Sequence, residues 1–307
     1  MIAFSSHRFV LPLPAGHRFP MEKYARLGER VLSEGILTRD DVREAPAATD
    51  DELLLVHTRD WVERVRDGGL EPAEIRRLGF PWSPEMVERS RRSVGATIAA
   101  ARVARTEGVA ANLAGGTHHA FADHGEGYCV FNDAAVALRV LQREGLVTRA
   151  LVVDLDVHQG NGTAAIFAGD PHVVTLSVHG ARNFPFRKVP SDVDLALPDA
   201  TGDEEYLSLV AGALDRAFDA ADPELTIYVS GADPHADDRL GRLALTRDGL
   251  ARRDELVFRT CERAGSPVAV TMAGGYGRDI DTTVDVHLGT LRAAAEFHRR
   301  WGVRSDS

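Results

Sequence analysis

Two cysteines in 307 residues, Cys129 and Cys261, are too few for a disulfide framework or a cysteine-ligated zinc site, and they read as unpaired thiols in a reducing compartment. No apolar run is long enough to span a bilayer. The opening "MIAFSSHRFVLPLPAGHRFP" lacks the basic start, apolar core and small-residue cleavage site of a secretory signal, so the expected location is cytoplasmic. Positive charge is also scarce: 36 basic against 46 acidic residues give a net charge of -10, which argues against nucleic acid or an anionic membrane as a direct partner and is compatible with cationic substrates. No repeat, low-complexity tract or flexible linker divides the chain. No G-x-G-x-x-G opens a helix after the first strand, and no G-x-S-x-G is present, which removes dinucleotide binding of the Rossmann type and a serine nucleophile elbow.

What remains is a chain with 44% hydrophobic residues, enough for one large core over residues 1–307. The first third reads mainly helical, with helices over 21–33 and 50–65 and a long one after Ser83 and Pro84, a good N-cap followed by a good first helical residue. From residue 109 the apolar runs "VAANLAGG", "RALVVDLD", "HVVTLSVH", "LTIYVSGAD" and "PVAVTMAGGY" alternate with helical stretches. That alternation predicts a single-domain α/β fold, a mostly parallel central sheet with helices on both faces.

Ligands of such sheets sit beyond the C-terminal strand ends. Those ends carry His118 and His119, then Asp154, Asp156 and His158, then His179, Asp233, and finally Gly274, Gly275 and Tyr276. Asp156, His158 and Asp233 form the best metal triad, because two oxygen donors and one nitrogen leave a position open for water, as a catalytic zinc requires. A metal-free Asp-His network would leave two buried carboxylates uncompensated, a costly arrangement. Iron(II) would fit the same mixed donor set. The adjacent imidazoles of His118 and His119 can be made unequal by different partners, Asp154 favouring a charged ring and Asn161 a neutral one that acts as base. Tyr276, after two glycines, could donate its phenol to a developing oxyanion.

Taken together, "GGTHHAFADHGEGYCVFND", "VVDLDVHQGNGT", "SGADPHADDRLGRLALT" and "AGGYG" resemble the zinc-dependent histone deacetylase family of the arginase/deacetylase fold, and most closely its class IV branch with bacterial relatives. The resemblance implies zinc on Asp156, His158 and Asp233, His119 as general base and acid, and His118 as its electrostatic partner, backed by Asp154 and Asn161. It makes Tyr276 the oxyanion donor, Tyr128 and Phe184 the walls of an acyl-lysine channel, the Gly127 carbonyl the acceptor for the substrate amide, and Gly274 and Gly275 part of the substrate site. It also implies a potassium ion beside the zinc, on Asp154, Asp156 and Ser177. The expected substrate is acylated lysine in a protein or peptide, with a small acylated amine such as an acetylpolyamine as the alternative.

Two departures bear on the substrate. Thr117 stands where the family usually has an aromatic residue, which opens space for acyl groups longer than acetyl, and "NFPFRKVPSDVDLALP" replaces the usual glycine loop at the channel rim. A dimanganese ureohydrolase of the same fold would need D-x-H-x-D and D-x-D runs, and "DLDVH" has the wrong order. A silent reader of acylated lysine would not need every catalytic position filled.

Overall fold

The computed structural model of the protein describes residues 1–305. The N-terminal part runs β1 (Ile2–Ser5), α1 (Glu22–Ser33), β2 (Val42–Glu44), α2 (Asp50–Leu53), α3 (Arg59–Asp67), α4 (Pro72–Leu78) and α5 (Pro84–Glu107). The middle runs β3 (Val109–Asn112), α6 (Asp133–Arg143), β4 (Ala150–Asp154), α7 (Asn161–Phe167), β5 (Val173–Gly180) and β6 (Val193–Leu197). The chain continues through α8 (Asp203–Ala221), β7 (Leu225–Ser230), α9 (Arg247–Ala264), β8 (Val268–Met272) and α10 (Ile280–Ser305).

Eight strands form one sheet in the order β2-β1-β3-β8-β7-β4-β5-β6, and every neighbouring pair is parallel. Strand alternation splits the core into two layers. In β4, Ala150 and Val152 join the cluster under α3, α5 and α6, whereas Leu151 and Val153 join the cluster under α8, α9 and α10. Each fully buried valine or leucine there contributes about 1.5–3 kcal/mol relative to exposure, which explains why β4 is apolar on both faces from Ala150 to Val153.

One sequence expectation needs correction, and the sequence leaves three short strands unmarked. The stretch 50–65 is two helices, because buried His57 bonds the Phe121 carbonyl at 3.0 Å and receives the Asn132 N–H at 3.0 Å, after which Thr58 caps a new helix on Trp61 N–H. The mainly helical first third also contributes β1 and β2. Finally, β6 forms a sheet edge from a run, "VDLAL", that is only five residues long and half-buried over most of its length. Ser83 and Pro84 do start the long α5, with the Ser83 hydroxyl accepting Met86 N–H at 3.2 Å.

One buried ion pair ties α9 to the strand ends that carry the polar residues. Arg253 pairs with Asp254 at 2.8 Å, donates to the Gly231 and Leu155 carbonyls at 2.7 and 3.3 Å, and is fully buried. Asp254 accepts the Tyr228 and Thr290 hydroxyls, both at 2.5 Å. Arg253→Met is expected to lower the unfolding free energy by about 3–5 kcal/mol, because it strands the Asp254 charge. Chemical denaturation checks this, and a loss under about 1 kcal/mol would mean that the pair contributes little to holding the folded state together.

Candidate active site

Four adjacent strands, β3, β8, β7 and β4, deliver the polar residues to one edge of the sheet. After β3 the chain turns through Gly115 and Gly116, and buried Asp133 at the start of α6 holds that turn by accepting Gly116 N–H at 3.0 Å and Thr117 N–H at 2.7 Å. The Thr117 hydroxyl donates to the Phe131 carbonyl at 2.5 Å and lies 2.7 Å from Asp133. This bracing presents His118 and His119 side by side, ring centres 4.1 Å apart, both buried.

The two rings have different partners. His118 Nδ1 meets Asp154 Oδ2 at 2.6 Å, and His119 Nδ1 meets Asn161 Oδ1 at 2.8 Å. Burial pulls His118 down, but Asp154 and Asp156 outweigh it and its pKa rises to about 9, which favours the charged ring at neutral pH; burial raises the Asp154 carboxyl in turn. His119 goes the other way. Burial, then the charges of His118 and His158, push its pKa well below the usual histidine value, and the Asn161 amide only partly offsets this. Asn161 is itself oriented: its Nδ2 donates to Glu126 Oε1 at 2.6 Å, which turns Oδ1 toward His119 and thereby fixes the proton on His119 Nδ1. That leaves His119 Nε2 with a free lone pair.

Asp156, His158 and Asp233 each offer a donor atom within 4.8 Å of the others, and all three are buried. His158 Nδ1 stands 2.9 Å from Asp156 Oδ1 and 3.1 Å from Asp233 Oδ2. Ligands at about 2.0–2.1 Å around a tetrahedral zinc lie about 3.3 Å from one another, so these spacings fit such an ion. Asp233 Oδ2 has no hydrogen-bond partner although buried. Gly274 completes the fit, because a Cβ there would fall 1.9 Å from Asp233 Oδ2 and 2.5 Å from Asp156 Oδ2, while its N–H donates to Asp156 at 2.7 Å. Burial and then Asp156 raise Asp233 to about 7, and the two carboxylates, against burial, raise His158 to about 10. Two buried carboxylates and an imidazole held this close form a donor group that could hold a metal ion.

Tyr276 is buried, 6.3 Å ring to ring from His158, and burial followed by the charges of Asp233 and Asp156 keeps its phenol protonated far above neutrality. Its loop is held by Asp238, which accepts N–H groups from Tyr276, Leu240 and Gly241 at 2.6 to 2.9 Å. Ser177 lies opposite Asp154 in the β4–β5 register and pairs with His179 at 3.1 Å, so His179 faces Ser177 and Asp194 and stays outside the Asp-His-Asp group.

Two connected cavities meet at this point. The outer one, about 610 Å³, is lined by Tyr128 and Phe184, with Gly127, His119, His158 and Tyr276 at its base and Arg76 and Arg77 at its mouth. Phe184 stands edge-on to His119 at 4.9 Å. The inner one continues past Thr117 and Gly274 into the protein. Gly275 lines neither; its carbonyl faces Lys23 Nζ at 3.5 Å. Glu126, Asp133 and Asp238 escaped the sequence reading. Each lies inside or beside a quoted motif, and a carboxylate embedded among small residues in such a run is the signal that could have marked them.

The sequence matches the histone deacetylase domain over residues 17–291. It is 44% identical over 290 residues to an uncharacterised protein of Picosynechococcus sp., covering 94% of this chain and 97% of that one. It is 32% identical over 282 residues to the histone deacetylase-like amidohydrolase of Pseudomonas aeruginosa, covering 86% and 74%. In architecture it is similar to the crystal structure of an HDAC homologue complexed with SAHA, with a TM-score of 0.81 at 23% identity over 97% of this chain and 88% of that one. The parallel sheet with its helical layers is thus the arginase/deacetylase fold.

Proposed function

Because the chain belongs to the histone deacetylase family, whose members are hydrolases, we propose that it removes acyl groups from the side-chain amide of acylated lysine in peptides or proteins. One observation carries this reading: a buried Asp-His-Asp donor group, His119 with its Nδ1 held by Asn161, and Tyr276 converge at the floor of an aromatic-walled channel. Zinc, or iron(II), on Asp156, His158 and Asp233 would supply Lewis acidity toward water and the amide carbonyl. Potassium on Asp154, Asp156 and Ser177 would screen the carboxylates behind them.

His119 Nε2 takes the proton of the attacking water and returns it to the leaving amine. His118, charged through Asp154, stabilises the negative charge that develops nearby and keeps the His119 proton affinity low. Tyr276 donates its phenolic hydrogen to the carbonyl oxygen as it becomes an oxyanion. Tyr128 and Phe184 exclude water from the methylene arm, and the Gly127 carbonyl accepts the N–H of the acylated side-chain amide. Gly274 keeps the floor clear. At the channel mouth, Arg76 and Arg77 oppose a polycation, which favours lysine in a peptide over an acetylpolyamine and runs against the overall charge of -10.

Purified protein supplied separately with zinc and iron(II) and offered acetyl-lysine peptides, longer acyl-lysine peptides and acetylpolyamines tests the reading. Hydrolysis of acyl-lysine with at least one metal, and none after chelation, is the expected result; turnover of acetylpolyamines alone would move the assignment to small amines. Tyr276→Phe is expected to keep metal content and fold while lowering kcat by about 10² to 10³, the usual cost of one oxyanion donor. Unchanged kcat in that variant would remove Tyr276 from the chemistry.

A further inference from the structure

The inner cavity contains two buried cations that the hydrolytic step does not use. Lys23 is 3% exposed; its Nζ donates to the Ala273 carbonyl at 3.0 Å and lies 5.5 Å from the centre of the Tyr276 ring. Arg89 is 9% exposed, donates from Nη1 to the Phe9 carbonyl at 3.3 Å, and stacks its guanidinium 4.3 Å from the centre of the Tyr24 ring. Among the described residues neither cation has a carboxylate in ion-pair contact, and burial lowers the Arg89 pKa. Buried cations are ordinarily paired with an anion, and the acceptors Arg89 does have, the Phe9 carbonyl and the Tyr24 hydroxyl, carry no full negative charge.

The placement of the cavity says what that anion would be. His119, His158 and Tyr276 line both the outer and the inner cavity, so a carbonyl held between them sends its amine arm out past Phe184 and its acyl chain inward. Leu11, Phe80 and Met86 give the inner wall apolar surface for methylenes, and Ser90 and Ser93 add hydroxyls beside Arg89. We propose that the preferred acyl group is that of a short dicarboxylic acid, joined to lysine through one carboxyl and presenting the other, as a carboxylate, to Arg89 and Lys23. The assignment rests on the acyl-lysine reading given above and narrows it. The reaction is ordinary amide hydrolysis: a water oxygen bonds to the carbonyl carbon, the C–N bond breaks, the amine takes the proton, and lysine and a dicarboxylate leave. No oxidant or further reactant is needed.

The test compares matched peptides that differ only in the acyl end: succinyl against butanoyl, and glutaryl against pentanoyl. In the metal-loaded protein, kcat/KM is expected to favour the dicarboxylic member of at least one pair by about tenfold or more, because a site built for a charged group rejects the analogue that lacks it. Arg89→Met is expected to reverse that ratio. Ser93→Asp, which gives the cations an internal carboxylate one turn along α5, should erase the preference even if Arg89→Met folds poorly. In metal-free protein, fluorescence polarisation should show the same order in binding of labelled glutaryl-lysine and pentanoyl-lysine peptides. Preference for the neutral chains in wild type, with a ratio unmoved by either variant, would overturn the inference while leaving lysine deacylation standing. Absence of hydrolysis of every acyl-lysine peptide with either metal would instead sink the acyl-lysine reading itself, and this inference with it.

Discussion

Asp233→Ala is expected to reduce bound zinc after dialysis from about one ion per chain to below about a tenth, measured by elemental analysis, and to abolish activity with it. Asp233 is fully buried, and its two oxygens have separate jobs: Oδ1 accepts Val157 N–H at 3.0 Å, while Oδ2 faces His158 with no protein donor of its own. Alanine removes both. Asp233→Asn separates them, because the amide oxygen can still accept from Val157 while the ligand charge is gone. The asparagine variant is therefore expected to recover thermal stability toward the wild-type level without recovering metal. Wild-type zinc content in the alanine variant would disprove the ligand set outright.

The second large effect concerns the histidine pair. His119→Ala should lower kcat/KM by about 10³ to 10⁴ at every pH, whereas His118→Ala should lose about 10 to 10², since it removes a charge partner and leaves the base in place. Equal losses would mean that the roles of the two rings are not divided. The pH dependence gives a finer test. A carboxylate at position 161 would favour the imidazolium of His119, raise its pKa and move the acidic limb of the kcat/KM profile to higher pH. Asn161→Asp alone is a poor probe, because the new carboxylate would stand against Glu126, 2.6 Å from the present amide nitrogen, and the two would share a proton. In the Glu126→Gln background the carboxylate introduced by Asn161→Asp is free to ionise, and the limb should move up while zinc content stays constant. A limb that stays, or moves down, would mean that position 161 does not govern His119.

The sequence made the strand-end residues readable for a physical reason. Strands buried on both faces are apolar throughout, so a polar residue at the end of such a run stands out against its background, and a parallel sheet puts all those ends on one edge. Asp156, His158, Asp233 and Tyr276 stand out in the sequence for that reason. The short β1, β2 and the edge strand β6 do not, because three to five residues carry too little periodicity. Nor do the supports. Asp133 braces Thr117 across 16 positions, Glu126 reaches Asn161 across 35, and Arg253 reaches Leu155 across 98, distances over which only the folded chain relates two side chains. Lys23 occupies a buried position on α1 beside Tyr24 and Leu27, where the helical spacing alone would place an apolar residue.

The order of the sheet also sets when the site can exist. Synthesis releases β1, β2 and β3 early and β4 to β7 next, as two half-sheets with nothing between them, and β8 then enters the gap between β3 and β7. Until residues 268–272 insert, the histidine pair after β3 and the Asp-His-Asp group after β4 and β7 belong to separate halves of the growing chain. The centre of the sheet is thus the last part of it to be filled, and two apolar strand edges wait open for it. A nascent chain stalled before β8 would present both edges to its neighbours and to chaperones, with no assembled centre for catalysis.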